Sequence, residues 1–190
     1  MKAEFQDKKA AALKATLELI AEQGFHATPM SQIAQKANIG VGTIYRYFTC
    51  KEDLINILYI DIKTHLTRYI FRNRSENMPV QEGFKQFLSN TIHYFIENPA
   101  ELSFTEQYEN SPLITTATRE ESSRISEPAV DLFKQALEQN LLKKLPLEIL
   151  GALISGATIA LIKLYLSGKV KADDTSFAAS IDAIWEMIKK

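Results

Sequence analysis

The chain has 190 residues, 46% of them hydrophobic and 24% charged, enough to bury one large core or a small core beside a larger one. Only 7 glycines and 6 prolines are present, which argues against a turn-rich β fold and for an all-α protein with short connections. A net charge of -1 excludes a chain-wide polyanion binder but not a local DNA-reading surface, and the single cysteine, Cys50, excludes an internal disulfide and fits a reducing compartment.

The first residues, Met1 to Asp7, are polar and carry no apolar signal core, so a cytoplasmic location is expected. Leu13, Leu17, Ile20 and Ala21 then recur at helical spacing, and Gly24 stops that helix. Thr28-Pro29 reads as an N-cap followed by proline at the first helical position. A short helix follows with Ile33, Ala34 and Ala37 inward. After a tight turn at Asn38-Ile39-Gly40, a second short helix turns Ile44 and Phe48 inward. Thr49-Cys50-Lys51-Glu52 reads as a capping box, with Thr49 as the cap and Glu52 as its reciprocating carboxylate. It opens a long helix with a buried stripe of Leu54, Leu58, Ile62, Leu66 and Tyr69 or Ile70.

Asn77-Met78-Pro79 breaks the chain, and the next helix carries Phe84, Phe87, Leu88, Thr91, Ile92 and Phe95 at alternating steps of three and four. Asn98-Pro99 ends it, and a shorter segment holds Leu102, Phe104 and Tyr108. From Leu113 to Asn140 the pattern is helical, with Pro128 either kinking the helix or starting a new one. Pro146 opens a helix that is apolar all round and must be covered on all sides. Its longest uncharged run, Ile149 to Ile162, falls short of the ~20 residues that a bilayer requires, so no membrane span is expected. The last helix, about Thr175 to Lys189, carries Phe177, Ile181, Ile184, Trp185 and Ile188 on one stripe.

Chemistry concentrates between Gly24 and Leu54. Gly40 and Gly42 are poor helix residues, each costing about 1 kcal/mol against alanine, and two in one short helix suggest close approach of a backbone to a partner. Thr43 offers a hydroxyl and a methyl, Tyr45 and Tyr47 offer hydroxyls, and Arg46 a charged donor, all suited to phosphates or base edges. Lys51 stands in the first turn of a helix, where the dipole disfavours a cation unless an anion shares the site. Taken singly, the tyrosines also read as packing and Lys51 as a solvated charge.

Gly24-Phe25-x-Ala27-Thr28, Ile33-Ala34-x-x-Ala37 and Gly42-Thr43-Ile44-Tyr45-x-Tyr47-Phe48-x-x-Lys51-Glu52-x-Leu54 together closely resemble the DNA-binding domain of the TetR/AcrR family of repressors. The resemblance implies about nine helices, with a DNA-binding domain over 1–52 (its helix-turn-helix at about 29–48) and a ligand-binding and dimerisation domain over 53–190. It further implies DNA contacts at Thr28, Gly40, Val41, Gly42, Thr43, Tyr45, Arg46, Tyr47 and Lys51. Where the family often carries serine at the recognition-helix cap this chain has Gly40, and Val41 makes an apolar start to the reading surface.

The resemblance also implies a homodimer on a palindromic operator in double-stranded DNA, released by an unidentified small hydrophobic or amphipathic molecule. Small residues Gly151, Ala152, Ser155, Gly156 and Ala160 allow close helix approach, and with Ile181, Trp185 and Ile188 they are the expected dimer interface. Tyr59, Ile62, His65, Leu66, Phe87, Thr91, Tyr94, Phe95, Phe104, Tyr108 and Phe133 are the candidate ligand pocket, aromatic and aliphatic with a few polar tips. His26, His65 and His93 stand in no metal-ligand spacing, and no phosphate loop or nucleophile elbow appears, so no cofactor, metal or enzyme activity is expected. The alternative is a helical ligand-binding protein or enzyme whose N-terminal head is structural only.

Overall fold

The computed structural model describes residues 2–75, 77–171 and 173–190. Among the described residues are ten α-helices: α1 (Lys2–Gln23), α2 (Met30–Lys36), α3 (Val41–Ile44), α4 (Lys51–Phe71), α5 (Val80–Glu97), α6 (Pro99–Tyr108), α7 (Thr116–Ile125), α8 (Glu127–Glu138), α9 (Leu147–Leu166) and α10 (Asp174–Ile188). One antiparallel bridge, Leu142 to Lys189, is the β-structure found among the described residues. The all-α expectation holds, with ten helices rather than about nine. The extra one arises at Pro128, which stands in the first turn of a separate helix, α8, instead of kinking a longer one.

Packing divides the chain into two compact units, the first running through Lys63 together with Ala100–Ser122, the second made of Thr64–Pro99 and Ser123–Lys190. α6 and the start of α7 pack with the first unit although they follow part of the second in sequence.

In the first unit, Ala12, Leu13, Ala15, Leu19 and Ile20 of α1 meet Ile33, Ala34, Ile44, Phe48, Leu54, Ile55 and Leu58 in one core. Gly24 adopts φ +79, the left-handed conformation that ends α1 at low steric cost. The turn between α2 and α3 takes its left-handed residue at Asn38 (φ 53), while Gly40 is extended at the start of α3. Asparagine tolerates this conformation better than other residues with a Cβ.

The start of α4 also differs in detail. Asp53 rather than Glu52 supplies the reciprocating carboxylate, accepting from both the Thr49 N–H (2.8 Å) and its hydroxyl (3.1 Å). One turn on, the buried Asn56 donates to the carbonyls of Glu52 (2.7 Å) and Leu113 (2.8 Å) and accepts from the Thr115 N–H (3.0 Å). Arg119 donates to the carbonyls of Glu109 and Ser111, so the loop between α6 and α7 is held by side chains at both ends.

In the second unit α5 packs on α8, α9 and α10. Phe84, Leu88 and Ile92 of α5 are buried beside Leu132 and Ala136 of α8, Leu150, Ile154 and Ile162 of α9, and Ile184, Trp185 and Ile188 of α10. The Lys143 N–H donates to the Ile188 carbonyl and the Lys190 N–H to that of Leu141, both at 2.9 Å, which ties the α8–α9 loop to the end of α10.

Asn56→Leu leaves the Leu113 carbonyl and Thr115 N–H without their partner. It is expected to lower unfolding stability by about 2 kcal/mol in urea titrations. An unchanged midpoint would show that the loop re-pairs elsewhere.

Candidate nucleic-acid interface

The stretch Gly40 to Tyr47 rests on two buried anchors, Ile44 and Phe48. The backbone N–H groups of Tyr47 and Phe48 both donate to the Ile44 carbonyl, so the chain stays tightly wound beyond the last residue of α3. With the anchors inward, the remaining residues turn out: Val41 is 48% and Tyr45 52% exposed, Gly40, Gly42 and Arg46 are exposed, and Thr43 and Tyr47 are half-buried. Exposed valine and tyrosine on a segment this short are not explained by the protein's own core.

Gly42 is equally unexplained by the fold. A Cβ built on it meets nothing within 4 Å, and its backbone is not in the left-handed region. Any side chain would fit, and most would improve the helix. A glycine that the fold does not require is consistent with a surface kept low for something outside the chain.

Lys51 is not a free charge. Its ammonium donates to the Phe25 carbonyl and lies over the Phe25 ring, 3.9 Å from the centroid. Partial burial pushes its pKa below the ordinary lysine value, opposed by the neighbouring Glu52. The buried Phe25 ring in turn makes an edge contact with Tyr108 (6.4 Å), which stacks on Phe104 (4.6 Å). The Tyr108 hydroxyl is buried with no hydrogen-bond partner among the described residues, and burial raises its pKa. Phe25 is part of the Gly24-Phe25 motif in the sequence, but nothing in periodicity pairs it with Lys51.

Thr28 is a correction. It is 0% exposed, and its hydroxyl donates to the Gly24 carbonyl at 2.8 Å rather than capping α2 or facing outward. The N-cap position of α2 falls on Pro29. Thr28 therefore stabilises the turn beneath the surface, with its hydroxyl turned to the Gly24 carbonyl. Cys50 is exposed, and its sulfur accepts from the Asp53 N–H.

The eleven candidate pocket residues fall in different places. Tyr59, Ile62, Phe104 and Tyr108 belong to the core of the first unit. Of those in the second unit, Tyr94, Phe95 and Phe133 are buried and Leu66, Phe87 and Thr91 half-buried, while His65 is exposed. Phe87 and Phe133 form an aromatic cluster with Phe84, at centroid distances of 5.0–6.3 Å, and the Thr91 hydroxyl bonds back to the Phe87 carbonyl.

The expected dimer residues also separate. Ala152, Ser155, Gly156 and Ala160 are exposed and Gly151 half-buried, beside exposed Ile149, Leu153, Leu164 and Leu166. Ile181, Trp185 and Ile188 instead are buried inside their own unit, with Trp185 against Phe84 at 5.5 Å. The stripe on α10 is taken up by the core of its own unit. As formed, α9 has 20 residues and a best-window mean hydropathy of 1.9, long and apolar enough to cross a membrane by length and composition. The charge-free run understates it, because Glu148 and Lys163 lie within the helix. Only 28% of that window is buried, so the covering of α9 on all sides is not met within one chain. Among the described residues no group of three His, Cys, Asp or Glu is placed to hold a metal ion.

The sequence matches the family model for bacterial regulatory proteins of the tetR family over residues 12–57, and that for the tetracyclin repressor-like C-terminal domain over 79–189. An HTH-type transcriptional regulator from Haemophilus influenzae is 32% identical over 98 residues, and the match spans about half of each protein, 52% of both. The fold superposes on a TetR family transcription regulator from Marinobacter aquaeolei with a TM-score of 0.93 at 20% identity, covering 100% of both chains. A TetR family protein from Vibrio parahaemolyticus gives 0.80 at 27% identity, covering 96% of this chain and 99% of that one.

The Lys51–Phe25 contact is open to a double-mutant cycle with Lys51→Met and Phe25→Leu, read by urea denaturation. A coupling of about 0.5–1 kcal/mol is expected; strictly additive losses would mean that the ammonium gains nothing from the ring.

Proposed function

Because the chain belongs to the TetR family of bacterial regulatory proteins, we propose that it is a ligand-responsive transcriptional repressor that binds a palindromic operator as a homodimer. A small hydrophobic or amphipathic molecule releases it. The observation that carries the DNA-binding part is the Gly40–Tyr47 surface, exposed at Val41 and Tyr45 and kept low at Gly42 without need from the fold. The protein acts by binding and not by turnover, and it works in the cytoplasm.

On this reading α3 and the turn after it enter the major groove. Gly42 lets the backbone come close, Thr43 meets a thymine methyl or a phosphate, and Val41 adds an apolar contact. Tyr45, Arg46 and Tyr47 donate to phosphates, which position the protein without reading sequence. Lys51 exchanges the Phe25 carbonyl for a phosphate at the start of α4, where the helix dipole favours an anion. Residues 1–52 carry the DNA role, residues 53–190 those of ligand binding and dimerisation.

The dimer face is the exposed side of α9, whose Ala152, Gly156 and Ala160 form an i, i+4 row that a second helix can approach closely. Bulky Ile149 and Leu153 beside that row are exposed in the single chain, and a second copy rather than lipid covers them. A two-fold pair presents its reading helices about 34–36 Å apart, one turn of DNA.

Gly42→Ala separates a DNA role from a purely structural head. Helix propensity predicts a gain of up to about 1 kcal/mol in stability, while mobility-shift titrations with DNA upstream of the protein's own gene are expected to show about tenfold or greater loss of affinity. Lys51→Ala and Tyr47→Ala should also weaken binding, with a shallower salt dependence for Lys51→Ala. Gly42→Ala with unchanged affinity would contradict the placing of α3 against the groove floor.

A further inference from the structure

Where α4 ends, the second unit carries an open groove of about 1010 Å³, between the α4–α5 connection, the start of α5 and one side of α8. Its volume is at the upper end of the ~300–1,000 Å³ common for small-molecule sites. None of the eleven pocket residues read from sequence lines it. The lining is amphipathic: Phe71, Met78, Val80 and Leu141 supply apolar surface, and Arg74, Asp131 and Gln135 supply polar groups. Phe71 also packs on Phe87 at 6.0 Å, so the groove borders the aromatic cluster of the same unit.

The charge distribution in the groove is uneven in a way that selects a ligand. Arg74 donates to the neutral amide oxygen of Gln135 at 3.0 Å, and its guanidinium lies 5.8 Å from the Phe71 ring. No carboxylate pairs with it among the described residues. Asp131, the acid on the lining, stands one turn before Gln135 on α8 and is instead 3.5 Å from the Lys134 ammonium. Arg74 also lies against α5 where Gly83 has no side chain, its Nε 3.9 Å from the position that a Cβ would take. An arginine held by a neutral partner keeps its positive charge and most of its five N–H donors for an incoming anion.

We propose that this groove is the effector site, and that its ligand is an amphipathic anion: a carboxylate or phosphate head on Arg74 with an apolar body along Phe71, Met78 and Val80. The inference deepens the ligand-responsive reading and rests on it only for the effect on DNA. Binding itself is measured without DNA, so the two fail separately.

The test is calorimetric titration of the full chain with decanoate, decyl phosphate, decanol and decyltrimethylammonium, each below its aggregation concentration. Decanoate or decyl phosphate should bind saturably, and whichever is tighter identifies the head group. Decanol is expected to be at least about tenfold weaker, and the cation weaker still. Arg74→Gln should lose about tenfold for the anions, Arg74→Lys should recover part of that loss, and Asp131→Asn should bind at least as well as the unaltered chain. Equal affinity for decanoate and decanol, anion binding unaffected by Arg74→Gln, or no saturable heat from either anion would each overturn the proposal. Anion binding that leaves the protein on its DNA would keep the site and remove its role as the effector switch.

Discussion

The first two turns of α4 are fastened at three successive points, and the presentation of the exposed Gly40–Tyr47 surface proposed to read DNA depends on them. Asp53 closes the helix start on Thr49, Lys51 holds the Phe25 carbonyl and ring, and Asn56 grips the loop before α7 from below. Each contact satisfies polar groups that would otherwise be left at a helix end or inside a loop, where an unmade hydrogen bond costs about 1–3 kcal/mol. Phe48 stands three residues before Lys51 and anchors the Gly40–Tyr47 stretch from the same core. The reading surface is therefore set by the rigidity of its supports rather than by its own short helix, which at four residues has little stability in isolation.

Lys51 shows how structural and functional readings of one residue coexist. In the free protein its ammonium has a carbonyl and a ring, neither of which carries a full negative charge. A phosphate is a stronger partner than either. On the proposed reading, the same side chain holds the turn after α1 when DNA is absent and meets a phosphate when DNA is present.

Much of the head was legible in the sequence because its determinants are local. Gly24 as a stop, Ile33 and Ala34 inward, and Ile44 and Phe48 at i and i+4 follow from helical period and turn chemistry. Glu52 and Asp53 are adjacent carboxylates, and which one closes the cap depends on a shift of one residue in the helix start, beyond what pattern reading resolves. Thr28 was misplaced because a threonine hydroxyl has two local acceptors or donors in reach, and the Gly24 carbonyl won over the start of α2. The α10 stripe was correctly apolar, but period says only that Trp185 is buried and not whether its own α5 or another chain buries it. Arg74 and Gln135 lie 61 residues apart, and no local pattern joins them.

The two apolar features that the single chain leaves open, the outer side of α9 and the groove beyond α4, have opposite characters. The exposed side of α9 is mostly apolar, with Ile149, Leu153, Leu164 and Leu166 beside a row of small residues, suited to a second helix. The groove mixes apolar walls with an arginine held by the neutral Gln135 amide, which suits the amphipathic anion proposed for it. Both give the protein work only if the head reads DNA. The most direct measurement of that claim is sequencing of the genomic fragments that the purified protein retains from sheared DNA of its own source at moderate salt. Enriched fragments sharing an inverted repeat with half-sites about one helical turn apart are predicted; retention without enrichment of any sequence would contradict it.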